Sequence, residues 1–154
     1  MYYIAKAELE HITGIAPLFD QYRIFYGQES DLKSAELFLT ERLNKNESVI
    51  FIAQHQASKE ILGFTQLFPS FSSVSLASIW ILNDLFVVPK ARRQGIASAL
   101  LSRARNFAVE NGSARLTLET APDNYSAQAT YEKLGWNRSE FLSYQLPIGS
   151  IPFL

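Results

Sequence analysis

The chain predicts a mixed β-sheet with helices on both faces, and three observations lead there. Strand-like and helix-like stretches alternate only in part along the sequence. Two early strands are joined by a short polar turn, as in a hairpin, whereas the later strands connect through helices, which suits parallel neighbours. Length and composition agree: 154 residues, 47% apolar and 13% aromatic, suit one domain over residues 1–154 with a sizeable core.

Each element has its own signal. Residues 2–7 form the first expected strand, followed by a helix from about residue 8 or 13 to 26 with Ile12, Ile15, Ala16, Phe19, Tyr22 and Tyr26 on its apolar side. Pro17 suits only a first turn or a kink, and Thr13 as N-cap would put it in the first turn. A second helix starts at Ser30 or Asp31 and runs to about Asn44 through Leu32, Ala35, Phe38, Leu39 and Leu43. Residues 48–54 and 61–68 are the hairpin strands around Gln56-Ala57-Ser58-Lys59-Glu60. Residues 69–73 read as a surface loop too short to join domains.

The central strand, 79–88, is an apolar run interrupted only by Asn83 and Asp84, and Pro89 ends it because proline cannot donate to a ladder. Ile96, Leu100, Ala104, Phe107 and Ala108 then recur at helical spacing, and Asn111-Gly112 closes that helix. A strand over 114–120, a short helix capped by Pro122-Asp123-Asn124 and ended by Gly135, and a last strand over 141–146 complete the expectation. No repeat or low-complexity segment interrupts it.

Composition excludes several functions. Fourteen basic and fifteen acidic residues give a net charge of −1, so no general attraction to nucleic acid or anionic membrane is expected. The sequence has no apolar run of about 18 residues, and its first residues lack the order of a signal peptide, so a cytoplasmic location is expected. Absence of cysteine removes disulfides, thiolate metal sites and an acyl-cysteine intermediate. His11 and His55 stand in no metal-ligand spacing and read as surface or structural residues, so no metal is expected.

Between the central strand and its helix lies a candidate anion site. Gly95 lets a ligand approach the backbone, the first-turn N–H groups lack partners within the helix, and Lys90, Arg92 and Arg93 add positive charge. An ordinary solvated basic loop is the plain alternative.

Arg92-Arg93-Gln94-Gly95-Ile96-Ala97 resembles the pyrophosphate loop, Arg/Gln-x-x-Gly-x-Gly/Ala, of the GCN5-related N-acetyltransferase (GNAT) superfamily. A second stretch, Asn124-Tyr125-Ser126-Ala127-Gln128-Ala129-Thr130-Tyr131-Glu132-Lys133-Leu134-Gly135-Trp136, resembles that family's later helix in order and spacing. The resemblance covers about residues 1–146 and is closest over 80–136.

It implies a GNAT-like α/β fold whose fourth and fifth strands splay apart to admit the pantetheine arm of acetyl-CoA. The implied cofactor contacts are Leu85, Phe86 and Val87, the turn Arg92, Arg93, Gln94, Gly95, Ile96, Ala97 and Ser98, and Asn124 with Ala127. Backbone N–H groups of Leu85 to Val87, at a bulge, are the expected oxyanion donors. Tyr131 takes the place of the general acid beside the coenzyme sulfur, the alternative being a core tyrosine packed on Leu134 and Trp136.

The base is less defined. Related polyamine acetyltransferases carry Glu-Asp where this chain has Asn83-Asp84, and Asn83 cannot take a proton. Asp84 faces the far side of the sheet under regular alternation unless a bulge redirects it; Glu119 is a second carboxylate near the same gap. A buried polar anchor is an equally good reading of Asp84. In the family the segment between the first two helices borders the acceptor pocket, which makes Arg23, Tyr26 and Gln28, with Asn83 and Glu119, the candidate substrate contacts. The alternative there is a set of core aromatics, Tyr22, Phe25 and Tyr26.

The histone, polyamine and D-amino-acid branch is the nearest by resemblance, so the expected activity is transfer of acetyl from acetyl-CoA to a small primary amine. Without cysteine or a serine-histidine arrangement, transfer should be direct, in a ternary complex. A protein or peptide N-acetyltransferase, and a non-catalytic coenzyme-A-binding module, are the alternatives. The expected partner is the amine alone, without nucleic acid or membrane, and a homodimer is left open.

Overall fold

The computed structural model describes residues 1–149. They fall into two compact units, Met1–Glu119 and a second that begins at Thr120. The first unit contains a five-stranded sheet in sequence order, β1 (Tyr2–Lys6), β2 (Val49–His55), β3 (Ile61–Ser72), β4 (Ala77–Val87) and β5 (Leu116–Thr117). The first four strands are antiparallel neighbours and β5 runs parallel to β4.

Helices cover both faces. Phe51 pairs with Thr65, so the residue before Thr65 along β3, Phe64, points to the opposite face. Phe51 meets Phe107 of α3 (Ile96–Glu110) edge-on at 5.5 Å, whereas Phe64 meets Phe19 of α1 (Ile12–Phe25) at 6.2 Å. α2 (Leu32–Asn44) packs on α1, with Phe38 stacked on Phe19 at 5.8 Å. Both faces of β2 and of β3 as far as Leu67 are therefore buried, and Ile50, Phe51, Ile52, Ala53, Phe64 and Leu67 are fully inaccessible. This burial holds the sheet together: removing one such phenylalanine side chain costs about 3–5 kcal/mol.

Helix starts follow their caps. Asp31 accepts from Ser34 N–H (3.1 Å) at the start of α2, as expected for an N-cap. α1 instead begins at Ile12 after a 3-10 turn at Leu9–His11, so Pro17 stands in its second turn rather than its first. The carbonyl that loses a donor is that of Thr13; both residues are exposed, so water can serve it.

Three expectations are corrected. Residues 69–72 belong to β3, not to a loop: Pro69 pairs with Trp80. Trp80 turns its own N–H to Arg115 O (3.2 Å), so this is a pair without mutual hydrogen bonds and the Pro69 nitrogen points away from β4. β2 stops pairing at Leu67, so no donor is needed there. β5 keeps only two residues of the expected 114–120. Residues 141–146 form no strand; the second unit has one regular element among the described residues, α4 (Tyr125–Lys133).

Candidate active site

One inserted residue organises the second half of β4. Gln66 pairs with Asp84 but Leu67 pairs with Leu82, leaving Asn83 as the extra residue of a β-bulge. The bulge lies before Leu85–Val87, not within it. It has two consequences, one for a side chain and one for the backbone.

The side chain is that of Asp84. Opposite residues share a face, so pairing with Gln66 turns Asp84 to the α1 side, which regular alternation would not do. There it is 2% exposed, with Gln66 Nε2 donating to Oδ2 (2.5 Å) and Asn83 Nδ2 donating to Oδ1 (2.8 Å). Thr65 Oγ1 donates to the Asp84 carbonyl (2.7 Å), and the Tyr22 hydroxyl donates to the carbonyl of Asn83 (3.0 Å). Burial pushes the Asp84 carboxyl up to about 6, against the pull of the Asn83 and Gln66 hydrogen bonds. Gln66 Oε1 is buried without a hydrogen-bond partner among the described residues.

The backbone consequence concerns amide direction. Val88 N–H donates to Leu62 O (2.9 Å), and directions alternate along a strand, so Phe86 N–H also faces β3. The amides of Leu85 and Val87 face the other edge. β5 meets β4 only at Trp80 and Ile81, so the edge beyond carries no β5 pairing. The expected parting of the fourth and fifth strands is present. Of the three amides expected from sequence, two face that open edge and the Phe86 amide does not.

The turn after β4 has the expected form. Gly95 is the N-cap of α3 with φ of +81°, and no side chain caps the first turn, which leaves the Ile96, Ala97 and Ser98 amides without a side-chain acceptor. A Cβ at Gly95 would meet only the Tyr2 hydroxyl, at 3.8 Å, so the constraint is the left-handed backbone and not space. The three cations differ. Lys90 is paired with Glu60 (2.6 Å), and Arg92 folds back, donating from Nε to Val87 O (2.9 Å) with its guanidinium 5.6 Å from the Phe86 ring centroid. Arg93, exposed with φ of +63°, has no partner among the described residues.

At the C-terminal end of α1, Tyr22 lies between Phe64 (6.3 Å) and Tyr26 (5.0 Å). Phe25 is 71% exposed, so the reading of this group as core aromatics fails for it; Tyr26 and the half-buried Arg23 and Gln28 border solvent. Arg23 Nη1 reaches Glu29 O only at 3.5 Å. Glu119 is exposed.

In the second unit, Asn124 caps α4 by accepting from Ala127 N–H (3.3 Å), which leaves its Nδ2 group as what it can offer a ligand. Tyr131 is half-buried with its ring 6.1 Å from that of Trp136. Both histidines act structurally: His55 Nδ1 accepts from the amides of Ala57 and Ser58, and His11 Nδ1 from that of Glu8. No group of three or more metal-ligating side chains occurs among the described residues. A cleft of about 710 Å³ lies elsewhere on the first unit, between Gly14 and Pro17 of α1 and Ile61 and Pro89; neither Asp84 nor Gly95 lines it. Sequence reading missed Gln66 and the Tyr22 hydroxyl as partners of Asn83-Asp84, although a glutamine within the apolar run of β3 was a signal.

These features are those of an acetyltransferase fold with a parted central sheet. The profile of the Acetyltransferase (GNAT) family matches residues 15–136. The chain is 49% identical over 146 residues to an uncharacterized N-acetyltransferase, YhfO, of Bacillus subtilis, covering 94% of this chain and 97% of that one. It is 42% identical over 121 residues to a probable acetyltransferase of Haemophilus influenzae, covering 79% and 82%. A crystal structure of a probable acetyltransferase superposes with a TM-score of 0.91 at 46% identity, covering 96% of this chain and 99% of that one. The chain belongs to the GNAT acetyltransferase family.

Proposed function

We propose that the protein transfers the acetyl group of acetyl-CoA directly to a small primary amine bound beside Asp84, with the cytoplasm as its setting. The observation that carries this reading is the buried Asp84 carboxylate, turned by the bulge toward the aromatic group of α1 and held by Asn83 and Gln66. With a pKa of about 6 it is ionised at neutral pH, where it can hold an ammonium group and take its proton. The amine nitrogen then attacks the thioester carbonyl, the tetrahedral oxyanion is met by amides at the open edge of β4, and the carbon–sulfur bond breaks to give amide and thiol.

In this reading the coenzyme pyrophosphate rests on the α3 amides at Ile96–Ser98 with charge from Arg93, and Asn124 and Ala127 contribute further contacts. Tyr131 assists departure of the thiolate. A phenol of pKa about 10 is a weak acid toward a thiolate of about 8.5, so a hydrogen bond to sulfur matters more than full transfer. Arg23, with its planar fork, suits an acceptor that also carries a carboxylate.

The test is an acceptor panel of spermidine, D- and L-amino acids, aminoglycosides and a histone-tail peptide, read by thiol release. Acetylation of the small amines is expected. Activity confined to the peptide would overturn the small-amine reading, and acetyl-CoA binding without any transfer would favour a non-catalytic module.

A further inference from the structure

Gln66 is fully buried on β3, between Ile50 of β2 and Asp84 of β4. Its amide is half used. Nε2 donates to Asp84 Oδ2 (2.5 Å), while Oε1 has no hydrogen-bond partner among the described residues. A buried amide oxygen left without a donor is destabilising, and a methionine of similar length would fill the same space without one.

The two charge states of Asp84 ask for opposite ends of that amide. A carboxylate has acceptors alone, so Nε2 must face it; the protonated acid presents an O–H, which finds an acceptor in Oε1 once the amide turns over. The two ends are nearly equal in size, so half a turn about the last side-chain bond exchanges them within one packed volume. Asn83 Nδ2 holds Oδ1 (2.8 Å), but Asn83 is exposed and water can replace it. At Oδ2 the buried Gln66 amide has no such substitute.

We propose that Gln66 is a positioning residue for Asp84, its amide turning over whenever Asp84 gains or loses a proton: Nε2 donates to the carboxylate, and Oε1 accepts from the acid formed at Oδ2. This rests on the reading of Asp84 as the base. When the substrate ammonium gives up its proton, an N–H bond breaks, an O–H bond forms at Oδ2, and the nitrogen keeps the electron pair with which it attacks. Each state of Asp84 then has a matched partner.

The surrounding charges are committed elsewhere. On α1, Asp20 accepts from Ser30 Oγ (2.6 Å) and the Asp31 amide (2.8 Å), Tyr22 donates to Asn83 O, and Arg23 reaches Glu29 O. β3 has no acidic or basic residue, β4 has Asp84 alone, and the one titratable residue of β2, His55 at its far end, accepts from the Ala57 and Ser58 amides.

The test is NMR of the free protein with nitrogen-15 in its glutamine side chains, the Gln66 signals being identified by their loss in Gln66→Met. Cross-peaks from the Nε2 protons to the Asp84 β-protons should be present well above pH 6 and lost well below it, with the midpoint of the Asp84 carboxyl carbon. Asp84→Asn, which gives Oε1 a permanent donor, should show the turned-over pattern on both sides. Cross-peaks unchanged by pH in wild type, or a neutral wild-type pattern in Asp84→Asn, would overturn the proposal. Gln66→Met removes the donor to the carboxylate, so the Asp84 midpoint and the acid limb of kcat/KM should both rise by roughly one pH unit. A residue that merely fills space would leave both in place, which would also overturn it. The NMR needs no acceptor: an amide that turns over in a protein acetylating no amine upholds this inference and fails the reading of the site, whereas acetylation with a fixed amide does the reverse.

Discussion

The two halves of β4 share a strand and differ in pairing, in side-chain face and in amide direction. Residues 77–81 pair with β3 on one side and meet β5 on the other, and the half-buried Trp80 ring centres 5.0 Å from that of Phe107 on α3. Residues 83–87 pair with β3 alone, contain the bulge and hold a buried carboxylate on the opposite face. One extra residue, Asn83, separates the halves. It shifts the parity of the strand, so that Asp84 enters the α1 side and the Leu85 and Val87 amides reach the edge that β5 leaves open. The lesson is that a single insertion can redirect a carboxylate and two backbone amides without altering the sheet around it.

The comparison is broken most sharply at Asp84. Asp84→Asn should lower turnover by about 10³-fold, within the range of one general base. Its effect on stability should have the opposite sign. The carboxyl has an ordinary pKa of 3.8 and one of about 6 in the fold, so the folded state holds the proton more tightly. The cost of burying the anion is absent below pH 3.8, grows as pH rises through the window to 6, and is complete above it. At 1.36 kcal/mol per pKa unit this is roughly 3 kcal/mol. In the variant, Gln66 can turn its orphaned Oε1 to the new amide. Asp84→Asn should therefore melt higher than wild type at pH 7.5 and close to it at pH 4. A variant that melts lower at both would make Asp84 a structural anchor.

The first half should respond in the reverse sense. Phe107→Ala removes the partner of both Trp80 and Phe51 and should cost about 3–4 kcal/mol in chemical denaturation. Turnover per folded molecule should change little. Tyr131→Phe, in the second unit, should lower turnover about 10²-fold with coenzyme affinity nearly unchanged. Unchanged turnover would return Tyr131 to a packing role beside Trp136. The smallest effect is expected at the turn: Gly95→Ala forces a side chain to φ of +81° and should cost about 1–2 kcal/mol, read as weaker acetyl-CoA binding by calorimetry.

What is legible in the sequence is local. The Gly95 turn and the helix behind it show in a glycine, a helical apolar period and a cluster of cations, none of which needs a distant partner. The bulge does not show, because Asn83-Asp84 reads the same in either register and the register is set across the sheet by Gln66 and Leu67. Pro69 misleads for a similar reason: whether a proline breaks a strand depends on which neighbour its nitrogen faces, which the chain alone does not record. Residues 141–146 show the period of a strand yet form none, because a period alone supplies no ladder. The roles of Asn124 and Tyr131 rest on resemblance in order and spacing, since one caps α4 and the other packs on Trp136 in the fold.

The central claim is that the bulge makes Asp84 a buried carboxylate that serves the acceptor amine. It is tested most directly by following the Asp84 carboxyl carbon by NMR across pH in the free protein, beside the pH profile of kcat/KM, which reports free-enzyme ionisations. Both midpoints should fall near 6, and the rate limb there should vanish in Asp84→Asn. A carboxyl that titrates near its ordinary 3.8, or a rate profile that passes through pH 6 unchanged in wild type, would contradict it.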